Sequence, residues 1–490
     1  MAVVAVESRF GVPPTIGRAM SLPPAAPLDA PVEPPGEATA VPAPRFLADI
    51  YEDVSRCNKC SLCQAVCPTY QVNPVEWETA RGRVALIRDA MEGRLELREI
   101  ADGPLSTCLT CDNCMAACPP RVPTAAIVAR ARQELHEQEG YPRGQRWLLR
   151  RVLPRPGGTR TLHRLSRAAQ VTGLHAAARG LRITRWMGTV GGMAERIGPL
   201  PRRRADQRVA GLPAVTPPVR GRLGFLICCY QNLVAPEATE AAMRVLLANG
   251  FELEAPELGC FGLPAQSLGD GPAVQEMAKR TVTGLAGLEV GSVPGAGDGR
   301  TMQGAAGSAV DGLVGDVASC VGHVRRYGRI LGDDPALGDA ARRVAGATDL
   351  ASVHLERAGW RAPLGPLTWH VTIDEPCSLP IDGPERGVAR ALLARIPELR
   401  ITPLQEAAMC CGGPGSYATG QPEHSDAILA RKFENVVATG ADVLVTENVS
   451  CLVQLRVGAQ RHAPQVRVMH LMEVLDAAVR AAAAGVGPAT

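Results

Sequence analysis

Aromatic residues are scarce in this chain, 3 % of 490, so leucine, valine and alanine must fill whatever cores it builds. No apolar run approaches the roughly 20 residues that span a bilayer. The opening "MAVVAVESRFGVPPTIGRAMSLPP" has no basic segment followed by a sustained apolar one, from which we expect no secretory signal and a cytoplasmic chain. There is no Gly-x-x-x-x-Gly-Lys phosphate loop and no serine nucleophile elbow. The glycine-rich "GAGDGRTMQGAAG" (295–307) opens no helix and reads as a flexible loop, not a dinucleotide fingerprint. Nine histidines are scattered, and His370 and His470, near predicted strands, read as satisfied core residues. Nothing here accepts a hydride.

Sulfur, by contrast, is abundant. Sixteen cysteines in a chain expected to stay in a reducing compartment point to metal binding or catalysis, not to disulfides. The pattern C-x2-C-x2-C-x3-C-P occurs twice, as Cys57, Cys60, Cys63, Cys67-Pro68 and as Cys108, Cys111, Cys114, Cys118-Pro119. Three cysteines at intervals of three wrap one iron–sulfur cube, and the proline carries the fourth away to the neighbouring cluster. The spacing therefore assigns Cys57, Cys60, Cys63 and Cys118 to one [4Fe–4S] centre and Cys108, Cys111, Cys114 and Cys67 to a second. Structural zinc is the alternative, but separated C-x2-C pairs leave no use for the third cysteine or the Cys-Pro.

The chain divides by composition. Residues 1–44 form a Pro/Ala-rich tail expected to be disordered, and 45–140 a helical region around the two motifs. There "ARGRVALIRDAMEGRL" puts Val84, Ile87, Met91 and Leu95 on one helical face, and "PTAAIVARARQELHEQ" follows as a second helix. Residues 141–222 are a basic connector: eighteen arginines against two acids, Glu195 and Asp206, leave +16 there and −13 elsewhere in a chain of net +3. Without interleaved aromatics this does not suit nucleic acid. Its arginine-rich amphipathic stretches suit an anionic membrane surface or an acidic partner, with a solvated face as the plain alternative.

A strand–helix–strand pattern then appears twice, in 223–365 and 366–482, before a short tail at 483–490. Each copy carries cysteines: Cys228-Cys229, Cys260 and Cys320 in the first, Cys377, Cys410-Cys411 and Cys451 in the second. Both members of a doublet reach one site only where the backbone turns, which Gly412 and Gly413 permit.

"CNKCSLCQAVCPTY", "ARGRVAL" and "CLTCDNCMAACP", followed by "DEPCSLP", "CCGGPGSY" and "DVLVTENVSCLVQL", resemble the glycolate oxidase iron–sulfur subunit family from about residue 46 to 482. The wider group includes lactate-utilisation proteins, the anaerobic glycerol-3-phosphate dehydrogenase subunit and heterodisulfide reductase. The resemblance implies an α+β multidomain chain, with an N-terminal α-helical ferredoxin-like domain followed by two duplicated α/β cysteine-rich domains. It implies an electron-transfer subunit of a 2-hydroxy-acid oxidase, flavin on a partner subunit, and an acceptor such as quinone at the cytoplasmic membrane face. A D-lactate or glycerol-3-phosphate dehydrogenase subunit, or a thiol/disulfide reductase, is the alternative. By position, Cys377, Cys410, Cys411 and Cys451 match a third cluster site, and Cys229, Cys260 and Cys320 an incomplete one. Phe261 stands there where the pattern has a second cysteine, and Cys229 fits it better than Cys228.

Overall fold

The computed structural model describes residues 46–180, 198–290, 309–380, 382–413, 415 and 417–485. The Pro/Ala-rich tail, the glycine-rich stretch at 295–307, part of the connector and the last five residues lie outside these.

In the N-terminal region helix α1 (Ala80–Met91) starts where the Thr79 hydroxyl accepts from the Gly82 N–H at 3.0 Å. A side chain at Gly82 would collide with the Glu76 carbonyl, which fixes glycine at this position. Val84, Ile87 and Met91 are buried, as their spacing requires. Leu95 lies beyond the helix, because Gly93 at φ 78° turns the chain after Met91. Helix α2 (Thr124–Glu139) packs Ile127, Val128 and Ala131 onto that face, with Leu97, Ile100 and Leu105 closing a small core.

The connector contains helix α3 (Pro156–Val171). Part of its charge is paired within the chain. Arg150 pairs with the fully buried Asp270 at 2.8 Å, Arg160 with Glu257 at 2.8 Å, Arg204 with Asp206 at 3.0 Å, and Arg208 with Glu240 at 2.8 Å. Trp147, Leu165, Val171 and Leu174 remain exposed. Among the described residues no helix is long and apolar enough to cross a membrane.

Two four-stranded parallel sheets follow. The first has β1 (Gly221–Phe225), β2 (Phe251–Glu254), β3 (Gly312–Gly315) and β4 (Thr348–Leu350) in the order β2-β1-β3-β4. The second has β5 (His370–Ile373), β6 (Arg400–Ile401), β7 (Val443–Thr446) and β8 (Arg467–His470) in the order β6-β5-β7-β8. The topology is the same in both. β3, β5 and β7 are buried along their whole length, as strands covered on both faces must be. Helix α4 (Pro236–Ala248) joins β1 to β2 and packs on the final helix α7 (Leu471–Ala483), where Arg244 meets Asp476 at 2.8 Å. One core runs through both sheets, from Leu223 and Phe225 to Val371, Val443 and Leu475. Between these elements, α5 (Pro422–Thr439) and α6 (Val449–His462) flank β7.

His370 and His470 are structural. His370 Nδ1 and Nε2 lie 2.8 Å from the Gly440 carbonyl and the Thr402 hydroxyl. His470 caps α7 and contacts the Asp316 carbonyl at 2.9 Å, and burial holds it down at about 4.

Two buried charges carry predictions. Lys432 Nζ is 2.8 Å from Asp374 Oδ1 and donates to the Glu406 and Ala407 carbonyls at 3.2 and 2.9 Å, pinning the loop before Cys410 to the end of β5. Lys432→Met strands Asp374, so denaturant unfolding should show a loss of ~3 kcal/mol or more, and a loss below ~1 kcal/mol would contradict this role. Glu447, after β7, is raised by burial to about 7. Between the ordinary carboxyl value and 7 the folded chain holds a proton that the unfolded chain releases, so its contribution falls as pH rises through that window. Glu447→Gln should therefore raise the melting temperature more at pH 8 than at pH 5, the gain vanishing only below the ordinary carboxyl value.

Candidate metal centres

The two N-terminal motifs fold alike. Lys59 and Ser61 take φ of 54° and 71°, and Thr110 and Asp112, at the same offsets in the second motif, take 51° and 58°. Non-glycine residues are held there only where the surroundings demand it. The repeat of this backbone bends each loop around its own cysteines. A cleft over the first motif is lined by Cys57, Cys60, Cys63 and Cys118, with Cys114 also at its wall and Ala80, Val84 and Val122 at its floor. Cys60 is exposed and Cys67 buried. Cys67 Sγ instead lies 3.1 Å from the Thr69 hydroxyl, and its charge helps to raise the Cys111 and Cys114 thiols, which burial pushes up first. The fourth cysteine of each motif thus turns toward the other motif.

In the sheets the strand order reverses between β1 and β3, and again between β5 and β7. At such a point the loops leaving the carboxyl ends diverge and open a crevice. Cys228-Cys229 follow β1 and Cys320 follows β3; Cys377 follows β5 and Cys451 follows β7. Cys260 and Cys410-Cys411 come in after β2 and β6. The topology gathers every C-terminal cysteine at one of two strand-end crevices.

In the second crevice Cys377 contacts Cys410, and Cys411 contacts Cys451, which also accepts from Asn448 Nδ2 at 3.5 Å. The Cys410 contact pulls the Cys377 thiol down, but burial and neighbouring thiolates outweigh it and leave it at about 11. Gly412 has φ 78°, and a side chain there would meet the Ser425 carbonyl at 2.8 Å, so the doublet turns as its glycines allow. Protonated thiols packed this densely fit a site that metal binding deprotonates.

The first crevice holds four thiols, not three. Cys228 Sγ is 3.4 Å from Cys320 Sγ, and Cys229 reaches both Cys228 and Cys260. Cys229 and Cys320 both direct their thiols at Cys228, holding that one well below the ordinary range. Preferring Cys229 over Cys228 undercounted the set. The doublet itself was the signal, because α-helical backbone begins at Cys229 and turns both side chains inward. Phe261 is buried in the core, its carbonyl accepting from the Tyr327 hydroxyl at 2.6 Å.

The N-terminal region meets the second crevice directly. Leu109, Cys410, Tyr417 and Ile428 form an apolar cluster against which Cys111 and Cys377 pack. Asn113 Nδ2 donates to the Ala408 carbonyl at 3.0 Å and the Tyr417 hydroxyl to the Thr107 carbonyl at 3.0 Å. His424 Nε2 faces the buried Glu78 carboxylate at 3.0 Å.

Residues 53–122 match the 4Fe-4S dicluster domain family, which implies two [4Fe–4S] clusters, and residues 371–456 match the cysteine-rich CCG domain family. The glycolate oxidase iron-sulfur subunit of Escherichia coli (strain K12) is 26 % identical over 441 residues, 86 % of this chain and 93 % of that one. A Bacillus subtilis (strain 168) protein named "Probable glycolate oxidase iron-sulfur subunit" is 26 % identical over 435 residues, with the same coverage of 86 % and 93 %. Lactate utilization protein A of Exiguobacterium sp. is 24 % identical over 267 residues, 53 % of this chain and 99 % of its own length. Over 86 % of its length, through both cysteine-bearing regions and the connector between them, this chain is similar to glycolate oxidase iron–sulfur subunits at 26 % identity.

Proposed function

We propose that the chain is the electron-relay subunit of a flavin-dependent 2-hydroxy-acid oxidase, with glycolate the first substrate to test. In this reading Cys57, Cys60, Cys63 and Cys118 hold an outer [4Fe–4S] cluster, and Cys108, Cys111, Cys114 and Cys67 an inner one. Cys377, Cys410, Cys411 and Cys451 hold a third iron–sulfur centre. Bound clusters supply one-electron acceptance and release, which suits a relay between a flavoprotein subunit and an acceptor such as quinone. Residues 223–365 are then a divergent copy of the module at 366–482, with Cys228, Cys229, Cys260 and Cys320 as its counterpart site.

The observation that carries the reading is the shared seam of Cys111, Cys377 and Cys410. A zinc-stabilised or purely scaffolding domain has no need to bring two separate thiol sets together under one apolar cover. Exclusion of water by Leu109, Tyr417 and Ile428 keeps the gap between the sets in a low-dielectric medium. The lactate utilization relatives make D-lactate the second substrate to try.

Anaerobically purified protein should contain about eight iron atoms and as much acid-labile sulfide from the N-terminal region, and about four more of each from the second crevice. Cys60→Ala should remove about four iron atoms, and Cys451→Ala should spare the first eight. Zinc without sulfide would overturn the reading. Against anionic vesicles, the connector, with its arginines and the exposed Leu165, Val171 and Leu174, should give binding that about 0.5 M salt releases. Binding indifferent to salt, or none, would remove the membrane from the account.

A further inference from the structure

The two N-terminal thiol sets sit in different electrostatic surroundings. Arg83, 2 % exposed, lies beside the inner set. Its guanidinium donates to the Pro104 carbonyl at 2.7 Å, the Thr107 hydroxyl at 2.9 Å, the Thr69 hydroxyl at 3.2 Å and the Glu78 carbonyl, and reaches Cys67 Sγ at 3.9 Å. Each of these acceptors is a neutral oxygen or a cysteine sulfur. The Glu78 carboxylate is engaged elsewhere, by His424 and by Asn73 Nδ2 at 2.9 Å. Arg132 approaches the same set from α2, donating to the Cys108 carbonyl at 2.6 Å, the Leu105 carbonyl at 3.0 Å and the Ser267 carbonyl at 2.8 Å. Its acceptors are also neutral.

A buried cation without a carboxylate is costly unless negative charge lies close by. Here the groups that act most on Arg83 are the inner cysteines Cys108 and Cys67, with the Glu78 carboxylate behind them. The outer set differs. Its neighbour Arg81 is paired with the Glu76 carboxylate and also bonded to the Ser61 hydroxyl and the Lys59 carbonyl. One set thus faces two guanidiniums with no carboxylate bonded to them directly, and the other a guanidinium that is paired with one.

We infer that Arg83 and Arg132 are positioning charges that make the inner cluster the better electron acceptor of the two. This rests on the two-cluster reading above. Reduction adds one negative charge to a cluster that is already anionic. A fixed positive charge in a low-dielectric setting stabilises that added charge and raises the reduction potential. Electrons entering at the exposed Cys60 side then settle beside Cys410, not at the surface.

The test is a potentiometric titration of the full-length chain followed by electron paramagnetic resonance, the inner centre being the one that persists when Cys60→Ala and Cys451→Ala are combined. Arg83→Gln should lower the inner midpoint by at least tenfold in the one-electron partition constant, about 59 mV, and leave the outer one in place. Arg83→Lys, which keeps the charge, should restore most of it. Arg132→Gln should shift the inner midpoint the same way and decides the matter if Arg83→Gln fails to load iron. Loaded variants with unmoved midpoints, or an equal shift in both centres, would overturn the inference while leaving the two-cluster reading intact. Wild-type protein without sulfide would instead overturn that reading.

Discussion

Thiols crowded out of water hold their protons, and the inner motif and the second crevice both crowd them so, while in the first crevice Cys229 and Cys320 are pushed up and Cys228 down. Cys111 and Cys114 in the inner motif, and Cys410, Cys411 and Cys451 in the second crevice, are all pushed up by their surroundings. In the proposed reading such sets gain their stability from a group that takes the protons away and binds the sulfur. The rest of the architecture serves this constraint: left-handed turns bend the motifs, glycines let the doublet close, and parallel sheets aim their loops at the crevices.

The two sheets show how topology does this without any long-range sequence signal. With the same strand order in each half, the reversal point falls between the first and third strands both times. The cysteines that follow those strands therefore meet, although Cys228 and Cys320 are far apart in the chain. The halves are also fastened to each other at these ends, where the Ala318 N–H donates to the Glu447 carbonyl at 3.0 Å and Ser319 to Asn448.

Much of this was legible in the residues. The doubled motif, the helices around Val84 and Ile127, and the strands at 221–225, 251–254 and 370–373 follow from spacing and periodicity. Three things were not. The role of Cys228 depends on a helix starting at Cys229, which the alternation of a strand pattern conceals. The connector's arginines read as a surface charge, yet partners such as Asp270 and Glu240 lie far along the chain and come into reach only on folding. Arg83, in "ARGR", has the look of a solvated helix face. It is buried because Pro104 and Thr107 on one segment and Cys67 on another fold around it.

Electron paramagnetic resonance on the fully reduced, oxygen-free chain tests the central claim most directly. Two reduced cubanes held by crossed motifs in one small fold must sense each other, so the account predicts a spectrum broadened by spin–spin interaction, collapsing to a simple signal when Cys60→Ala and Cys451→Ala are combined. A reduced protein with no iron–sulfur signal, or with two that add as if isolated, would contradict it.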